Sequence, residues 1–220
     1  MIPPPATIPD DVDTLLLDLD GTLLDLAFDN RFWGLVVPEA YGVKHGLSVQ
    51  EALEVIRPRL AQVEGTLPWY CLDHWSRSLD MDLSQLKTEH AGYVAWLPGA
   101  KQFLQRQRAA GRRLVLATNS HPETLRIKVE QTRVTDYLDA AYSSHPFGAP
   151  KEDPRFWAGF RQVESFDPRR TAFIDDNARV LRAGRDAGIT HLIAITHPDT
   201  TQPEKSPPED FPSVRGVADL

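Results

Sequence analysis

The chain has 220 residues, of which 41% are hydrophobic and 25% are charged, so it has the composition of an ordinary globular protein. This length predicts one domain, or one domain that carries a sizeable insertion. The net charge of −7 argues against a nucleic-acid polymer or an anionic membrane as the main partner. The sequence has a single cysteine, Cys71, and shows neither a secretory leader pattern nor an apolar stretch of membrane-spanning length. We therefore expect a cytoplasmic protein.

Residues 18–25, with the sequence DLDGTLLD, are the most informative part of the chain. They follow residues 14–17, a short apolar run that is typical of a buried parallel strand. Asp18 and Asp20 lie two positions apart, so their side chains point the same way, and Gly21 lets the backbone turn closely. Such neighbouring carboxylates predict a Mg²⁺ ion between them, and one could attack phosphorus while the other transfers a proton. A solvated acidic turn is the alternative, and the whole octet after a strand argues against it.

Residues 25–96 have a different pattern, in which helical periodicity replaces strand-like runs. Ser48 followed by Glu51 is a capping-box signature at one helix start. The segment is too long for a simple loop and too helical for a crossover, so we predict an inserted all-helical cap domain. The predicted helices span residues 28–37, 48–63, 67–79 and 84–95.

Residues 97–195 alternate between strand and helix patterns, which predicts an α/β fold with a Rossmann-like parallel-sheet core. The strands are predicted over residues 113–117, 140–143, 171–174 and 191–195, and the helices over residues 100–110, 122–131, 153–164 and 178–187. We therefore expect a discontinuous core of residues 10–24 and 97–200, a cap of residues 25–96, and Pro-rich tails of residues 1–9 and 201–220. Residues 198–212 are expected to be irregular.

Polar side chains follow four of the predicted strands, and open α/β sheets bind ligands at this edge. Taken singly, these polar side chains have ordinary explanations: the threonine could cap a helix, the lysine could lie on the surface, and the acidic pair could begin a helix. Together they supply a nucleophile, a proton donor, hydrogen-bond donors and a positive charge, which is what phosphoryl transfer needs. The clusters are Asp18 and Asp20, Thr118 and Asn119, Lys151, and Asp175 and Asp176.

These four clusters, in this order, resemble the motifs of the haloacid dehalogenase (HAD) superfamily, whose members are mostly Mg²⁺-dependent phosphatases. The resemblance implies that Asp18 is the nucleophile and that Asp20 is the acid/base and a carbonyl ligand of the metal. It implies that Asp176 binds the metal directly, with Asp175 as a water-mediated neighbour. Mn²⁺ could replace Mg²⁺. An insertion after the first motif resembles the C1 cap class. The implied phosphate-binding residues are Leu19, Thr118, Asn119 and Lys151.

Segments in the cap and its flanking loops resemble the bacterial GMP/IMP nucleotidase branch of this superfamily; they are residues 11–14, 25–30, 69–73 and 147–153. That branch implies a purine nucleoside monophosphate as the substrate, with no obligatory protein partner. Because the cap begins just after the first motif, we expect its first residues to select the substrate, and the candidates are Phe28, Asp29, Asn30 and Trp33. The alternative is that Phe28 and Trp33 only pack the cap. A sugar-phosphate phosphatase, a β-phosphoglucomutase-like mutase and a catalytically retired binding protein remain alternatives.

Overall fold

The computed structural model describes residues 6–220 and shows a six-stranded parallel sheet with the strand order β3-β2-β1-β4-β5-β6. The predicted loose start lies partly outside the described residues. Five strands match the predicted positions: β1 Thr14–Leu17, β2 Arg113–Thr118, β3 Ala140–Ser143, β4 Thr171–Asp175 and β5 His191–Ile195. The prediction of an α/β, Rossmann-like core is therefore confirmed.

Alternating side chains of the strands fill two separate apolar layers, because successive residues of a strand point to opposite faces. Leu15 and Leu17 pack with α7 (Ala100–Ala109) and α8 (Pro122–Thr132) on one face. Leu16 packs with helices on the other face. Those helices are α9 (Pro154–Val163) and α10 (Ala178–Asp186). Both faces of the sheet are covered, which explains why the strands lack a polar side.

The helical segment lies between β1 and α7 and has an apolar core of its own, with Phe32, Ile56 and Trp75 among its buried residues. Its helices are α1 Ala27–Arg31, a π-helical stretch Phe32–Val36, α2 Val37–His45, α3 Val49–Val63, α4 Leu67–Tyr70, α5 Leu72–Leu79 and α6 Leu83–Glu89.

Three of its predicted helices differ in the structure. The last, predicted over residues 84–95, ends at Glu89. The first continues as far as His45. The one predicted over residues 67–79 is broken at Cys71, which adopts an extended backbone conformation and caps α5. The capping box of Ser48 and Glu51 is present at the start of α3.

The two connections between the helical segment and the sheet run side by side. Leu24 and Trp96 form an isolated antiparallel bridge, and we call this pair the pivot bridge. Next to it, the Asp25 N–H donates to the Ala95 carbonyl oxygen at 2.9 Å, and the Leu97 N–H donates to the Leu23 carbonyl oxygen at 3.0 Å. The chain therefore leaves the sheet and returns to it at one place.

The C-terminal residues differ from the predicted irregular tail. Ser213–Val214 forms β6, which pairs in parallel with Ala194 and Ile195 of β5. Phe211 and Val217 are buried as well, so this part of the chain completes the core of the sheet. The strand is too short, and its surroundings too rich in proline and charge, for the sequence to reveal it. No helix within residues 6–220 is both long and apolar enough to cross a lipid bilayer.

Candidate active site

The first strand ends at a tight turn that places two carboxylates at the edge of the sheet. The Asp18 N–H still pairs with the Ile174 carbonyl oxygen of β4 at 3.0 Å, so strand pairing fixes the position of this side chain. Gly21 follows with φ of +90°, a conformation that side chains other than glycine rarely adopt. A Cβ at Gly21 would lie 2.9 Å from the Asp176 Cγ. Glycine is therefore needed for the close approach of this turn to Asp176.

Lys151 is buried between two of the carboxylates. Its Nζ donates to the Asp18 Oδ1 at 2.5 Å and to the Asp175 Oδ2 at 2.7 Å. Burial disfavours the ammonium, but the charges of Asp175 and Asp18 outweigh that cost and raise the pKa of Lys151. Lys151 therefore remains positively charged in the site and offsets part of the negative charge around it.

Three carboxylates share the centre of the site: the ligand oxygens of Asp18, Asp175 and Asp176 all lie within 4.8 Å of one another. Burial raises the pKa of Asp18 to about 7, with Asp175 and Asp20 adding to the shift and Lys151 opposing it. Burial also raises the pKa of Asp175 and of Asp176 to about 6 each. A divalent cation would stabilise the charged forms, and oxygen donors are those that Mg²⁺ prefers. The donor set therefore fits a hard divalent cation.

Asp20 is held by two partners outside this cluster. Its Oδ2 accepts from the Ser120 hydroxyl at 2.6 Å, and its Oδ1 accepts from the Lys128 Nζ at 2.6 Å. Lys128 also pairs with Asp29, which in turn pairs with Lys87 at 2.7 Å. This chain of charges joins the sheet edge to the helical segment. Burial opposes ionisation of Asp29, but Lys128 and Lys87 outweigh it and hold its pKa well below the usual range.

The residues predicted to bind phosphate have different surroundings. The Thr118 side chain is buried, and its Oγ1 accepts from the Ser120 N–H at 3.0 Å. The side chain of Leu19 belongs to the apolar core, so only its backbone could face a ligand. Thr118 lines the cavity together with Asp18 and Lys151.

Asn119 shapes the loop that carries Lys151. Its Oδ1 accepts from the Lys151 N–H at 2.8 Å, and its Nδ2 donates to the Glu152 Oε2 at 2.9 Å. Tyr70 of the helical segment donates to the other Glu152 oxygen at 2.5 Å. Asn119 thus uses its amide to position Lys151; it also lines the cavity, and its contact with phosphate stays a prediction. The sequence offers no signal for Glu152 as a partner of Tyr70, because the two lie far apart in the chain.

The carboxylates open into a cavity of about 650 Å³, which lies within the range of about 300–1,000 Å³ typical of small-molecule sites. Its opposite wall comes from the helical segment and includes Trp33, Arg57 and Trp69. Three of the predicted selectivity residues, Asp29, Asn30 and Trp33, line this cavity. Asn30 donates to the Asp199 Oδ2 at 2.6 Å, which fixes its amide.

Phe28 lies elsewhere than predicted. It is 3% exposed and packs against Phe32, and it is not among the residues that line the cavity. The Lys87 Nζ lies 5.3 Å from the centre of its ring and the Lys128 Nζ 5.7 Å, both at cation–π distance. Its position on the inner face of α1 turns it towards the buried lysines. Sequence reasoning also missed Lys87, Lys128 and Ser120, since each resembles an ordinary helix or loop residue on its own.

The sequence of the chain is similar to sequences of known proteins. A family model described as haloacid dehalogenase-like hydrolase matches residues 12–188. A protein of Escherichia coli named GMP/IMP nucleotidase YrfG is 44% identical over 195 residues, which cover 89% of this chain and 88% of that protein. A protein of Shigella flexneri with the same name has the same identity and coverage.

The fold has solved relatives as well. The crystal structure of a HAD phosphatase from Thermococcus onnurineus matches with a TM-score of 0.76 at 20% identity, over 94% of each chain. At that identity the likeness shows the fold alone. The family match covers most of the chain, and it confirms the predicted superfamily and the prediction of a hydrolytic enzyme. The chain therefore belongs to the haloacid dehalogenase-like hydrolase family.

Proposed function

We propose that the protein hydrolyses phosphomonoesters through a phosphorylated aspartate at Asp18. The observation that supports this most directly is the buried cluster of Asp18, Lys151, Asp175 and Asp176 at the floor of an open cavity. A carboxylate oxygen of Asp18 attacks phosphorus, and the ester P–O bond breaks. Asp20 gives its proton to the leaving oxygen. Asp20 then takes a proton from water, which attacks phosphorus and releases phosphate from Asp18.

The surrounding groups have separate roles in this proposal. Lys151 offsets the charge of the nucleophile and of the phosphoryl oxygens, and Thr118 supplies a hydroxyl at the neighbouring strand end. Asp18, Asp176 and the Asp20 carbonyl oxygen would hold Mg²⁺, with Asp175 beside them and Mn²⁺ as a substitute. The ion would act as a Lewis acid that stabilises negative charge on the phosphoryl group. Ser120 and Lys128 orient the Asp20 carboxylate.

We further propose that the substrate is a purine 5′-monophosphate with an oxygen at position 6, namely GMP or IMP. Support comes from the 44% identical relatives that carry this name and from the composition of the far wall of the cavity. Trp33 and Trp69 offer aromatic faces on which a base can stack. Trp33 is held by edge-to-face contact with Trp75, so its ring has a fixed orientation.

Arg57 is the residue in this wall best suited to choose between purines. It lines the cavity, and within residues 6–220 its side chain makes no hydrogen bond and no ion pair. An arginine fork matches the paired acceptors O6 and N7 of guanine, which hypoxanthine shares, whereas adenine places a donor at position 6. Arg57 would therefore favour GMP and IMP over AMP.

The test measures phosphate release from GMP, IMP, AMP, UMP and glucose 6-phosphate with Mg²⁺ and with EDTA. We expect the highest kcat/KM for GMP and IMP, loss of activity with EDTA, and its return with Mg²⁺ or Mn²⁺. Equal rates for all five substrates would contradict the nucleotidase proposal, and full activity without metal would contradict the metal proposal. A mutase would show little net phosphate release, and a binding protein would show none.

Arg57→Lys keeps the charge but loses the fork, so the preference for GMP over AMP should fall by about tenfold. The matched control is Arg59→Lys. Arg59 lies on the same helix, binds the Ser78 carbonyl oxygen at 2.9 Å and does not line the cavity. If both variants keep the preference of the unmodified protein, Arg57 is not the discriminating residue.

A further inference from the structure

A second cluster of metal-binding side chains lies beside the cavity, between the helical segment and the sheet. Cys71 precedes α5, His121 precedes α8, and His145 lies in the turn after β3. One ligand atom from each of these residues lies within 4.8 Å of the other two. The imidazole rings of His121 and His145 meet edge to face, with centres 4.9 Å apart. None of these residues belongs to the carboxylate cluster around Asp18.

The hydrogen bonds leave one nitrogen of each histidine available. The His121 Nδ1 accepts from the Glu123 N–H at 3.3 Å, which leaves Nε2 as the atom that can bind a metal. The His145 Nε2 is buried and has no hydrogen-bond partner within the part of the chain that the structure describes. Buried nitrogen atoms without a partner are rare in folded proteins and call for an explanation.

The protonation of His145 suits a metal ligand. Burial, and the neighbouring His121, lower the pKa of His145 to about 4, so its imidazole is neutral near pH 7. A neutral imidazole is the form that binds metals. The Ser143 hydroxyl lies 3.4 Å from the His145 Nδ1, where a polar neighbour can fix the orientation of a ligating ring. The Cys71 Sγ accepts from the His74 N–H at 3.4 Å, the contact that caps α5.

We propose that Cys71, His121 and His145 form a zinc site that joins the helical segment to the sheet. One sulfur and two imidazole nitrogens are donors that Zn²⁺ prefers, and three protein ligands leave a fourth position for water. The Asp73 Oδ2, which lies 3.6 Å from the His121 Nε2, is a second candidate for that position. Binding converts the Cys71 thiol to a thiolate, and its proton passes to solvent.

The three ligand atoms must move closer together to bind one zinc ion. Zinc bonds of about 2.0–2.3 Å set neighbouring ligand atoms about 3.5 Å apart, so atoms within 4.8 Å of one another need to approach by at most about 1.3 Å. Side-chain rotation of Cys71 and His121, both half-buried, can supply this. The two sites would also select different metals, because the catalytic cluster offers only oxygen donors, whereas this cluster offers sulfur and nitrogen.

The site would regulate the enzyme by restricting the helical segment. His121 lines the catalytic cavity, and Cys71 lies on the opposite side of the contact between the two regions. A metal that binds both residues opposes any separation of the helical segment from the sheet. We therefore expect Zn²⁺ to slow turnover without displacing Mg²⁺ from the carboxylates.

The first test is spectroscopic and independent of substrate. Co²⁺ is titrated into the purified, reduced protein, since a cobalt–thiolate bond gives a near-ultraviolet charge-transfer band that carboxylates cannot give. The unmodified protein and the control His74→Gln should show the band at one equivalent, together with the visible bands of tetrahedral cobalt. Cys71→Ser should lose the band, and His145→Gln should weaken Co²⁺ binding at least about tenfold. No band in the unmodified protein, or an unchanged titration in His145→Gln, would overturn the proposal.

The second test measures turnover and rests on the proposed phosphatase function. Phosphate release is followed at saturating Mg²⁺ with and without one equivalent of Zn²⁺. Zinc should lower the kcat of the unmodified protein several-fold and leave that of Cys71→Ser unchanged. Equal inhibition of both proteins would place the effect at the catalytic carboxylates and would overturn the regulatory role. If no substrate is turned over, the proposed function fails, while the cobalt titration still decides the metal site.

Discussion

The two walls of the cavity are built by different kinds of contact. At the sheet edge, backbone pairing sets the positions: Leu17 pairs with Leu116 on one side and with Ile174 on the other. Asp18 and Asp175 therefore reach the same level because their strands are in register, and Thr118 lies one residue further along β2. A change of side chain at these positions alters the chemistry and leaves the geometry in place.

The helical wall depends on side-chain packing. Trp33 lies on a π-helical turn, Arg57 on α3 and Trp69 on α4, and only their packing brings them to one cavity. Substitutions in that packing can move all three. The comparison indicates that backbone pairing fixes the carboxylates of the sheet edge, whereas the side chains of the opposite wall depend on packing in the helical core.

The largest effect is expected for Asp18→Asn, which tests whether strand pairing fixes the sheet-edge wall of the cavity. We expect kcat to fall by at least ~10³-fold, because an amide is a poor nucleophile. Strand pairing remains and Lys151 keeps its ion pair with Asp175, so circular dichroism and the midpoint of thermal unfolding should change little. A loss of activity accompanied by unfolding would show that this wall is not fixed by strand pairing alone.

The next test concerns the charges that connect the two walls. Lys128 contacts both Asp20 and Asp29, whereas Lys87 contacts only Asp29 of these two. Removing one partner of a buried pair costs about 3–5 kcal/mol, so Lys128→Met and Lys87→Met should both lower the free energy of unfolding in urea. Only Lys128→Met should lower kcat strongly, by about 10²-fold, because it frees the carboxylate of Asp20, the proposed acid/base.

Equal loss of kcat in the two lysine variants would contradict this separation of roles. It would show that the helical wall controls the chemical step as much as the sheet edge does. A Lys87→Met variant with normal kcat but reduced stability would instead confirm that its charge serves the contact between the walls.

The smallest expected effect is the pH dependence of this contact. The pKa of Asp29 is lowered in the folded protein, so its carboxylate stabilises the fold at pH values above its unfolded pKa of about 3.9. Asp29→Asn should therefore lower the free energy of unfolding by about 3 kcal/mol near neutral pH. The difference between the two proteins should shrink as the pH falls below about 4. If the difference in unfolding free energy did not vary with pH, the packing of the Asp29 side chain, and not its charge, would account for the loss of stability.

The sequence predicts the sheet edge well because its signals are local. Asp18 and Asp20 adjoin an apolar strand, Thr118 ends the next one, and Asp175 ends β4. Parallel pairing then brings these ends together with no further information. The strands β1 to β5 are confirmed for the same reason, since each is a short apolar run between turn residues.

The parts that the sequence does not predict depend on distant contacts. Lys128 reads as a solvated lysine in α8 until the fold brings Asp20 and Asp29 beside it. Phe28 lies near the cavity in sequence, yet the turn of α1 places it against the lysines. β6 consists of two residues whose only strand signal is the neighbour they pair with. In each case the deciding contact spans regions that no local pattern links.

The pivot bridge of Leu24 and Trp96 affects how the helical segment can move relative to the sheet. Both connections between the regions pass through this pair, so rotation about an axis through it is the movement that the covalent chain opposes least. In such a rotation the displacement of an atom grows with its distance from the axis. Atoms of the helical segment that are far from the bridge would travel furthest, while Asp18 and the strand ends would stay still. The helical wall of the cavity can thus swing while the side chains at the sheet edge keep their alignment.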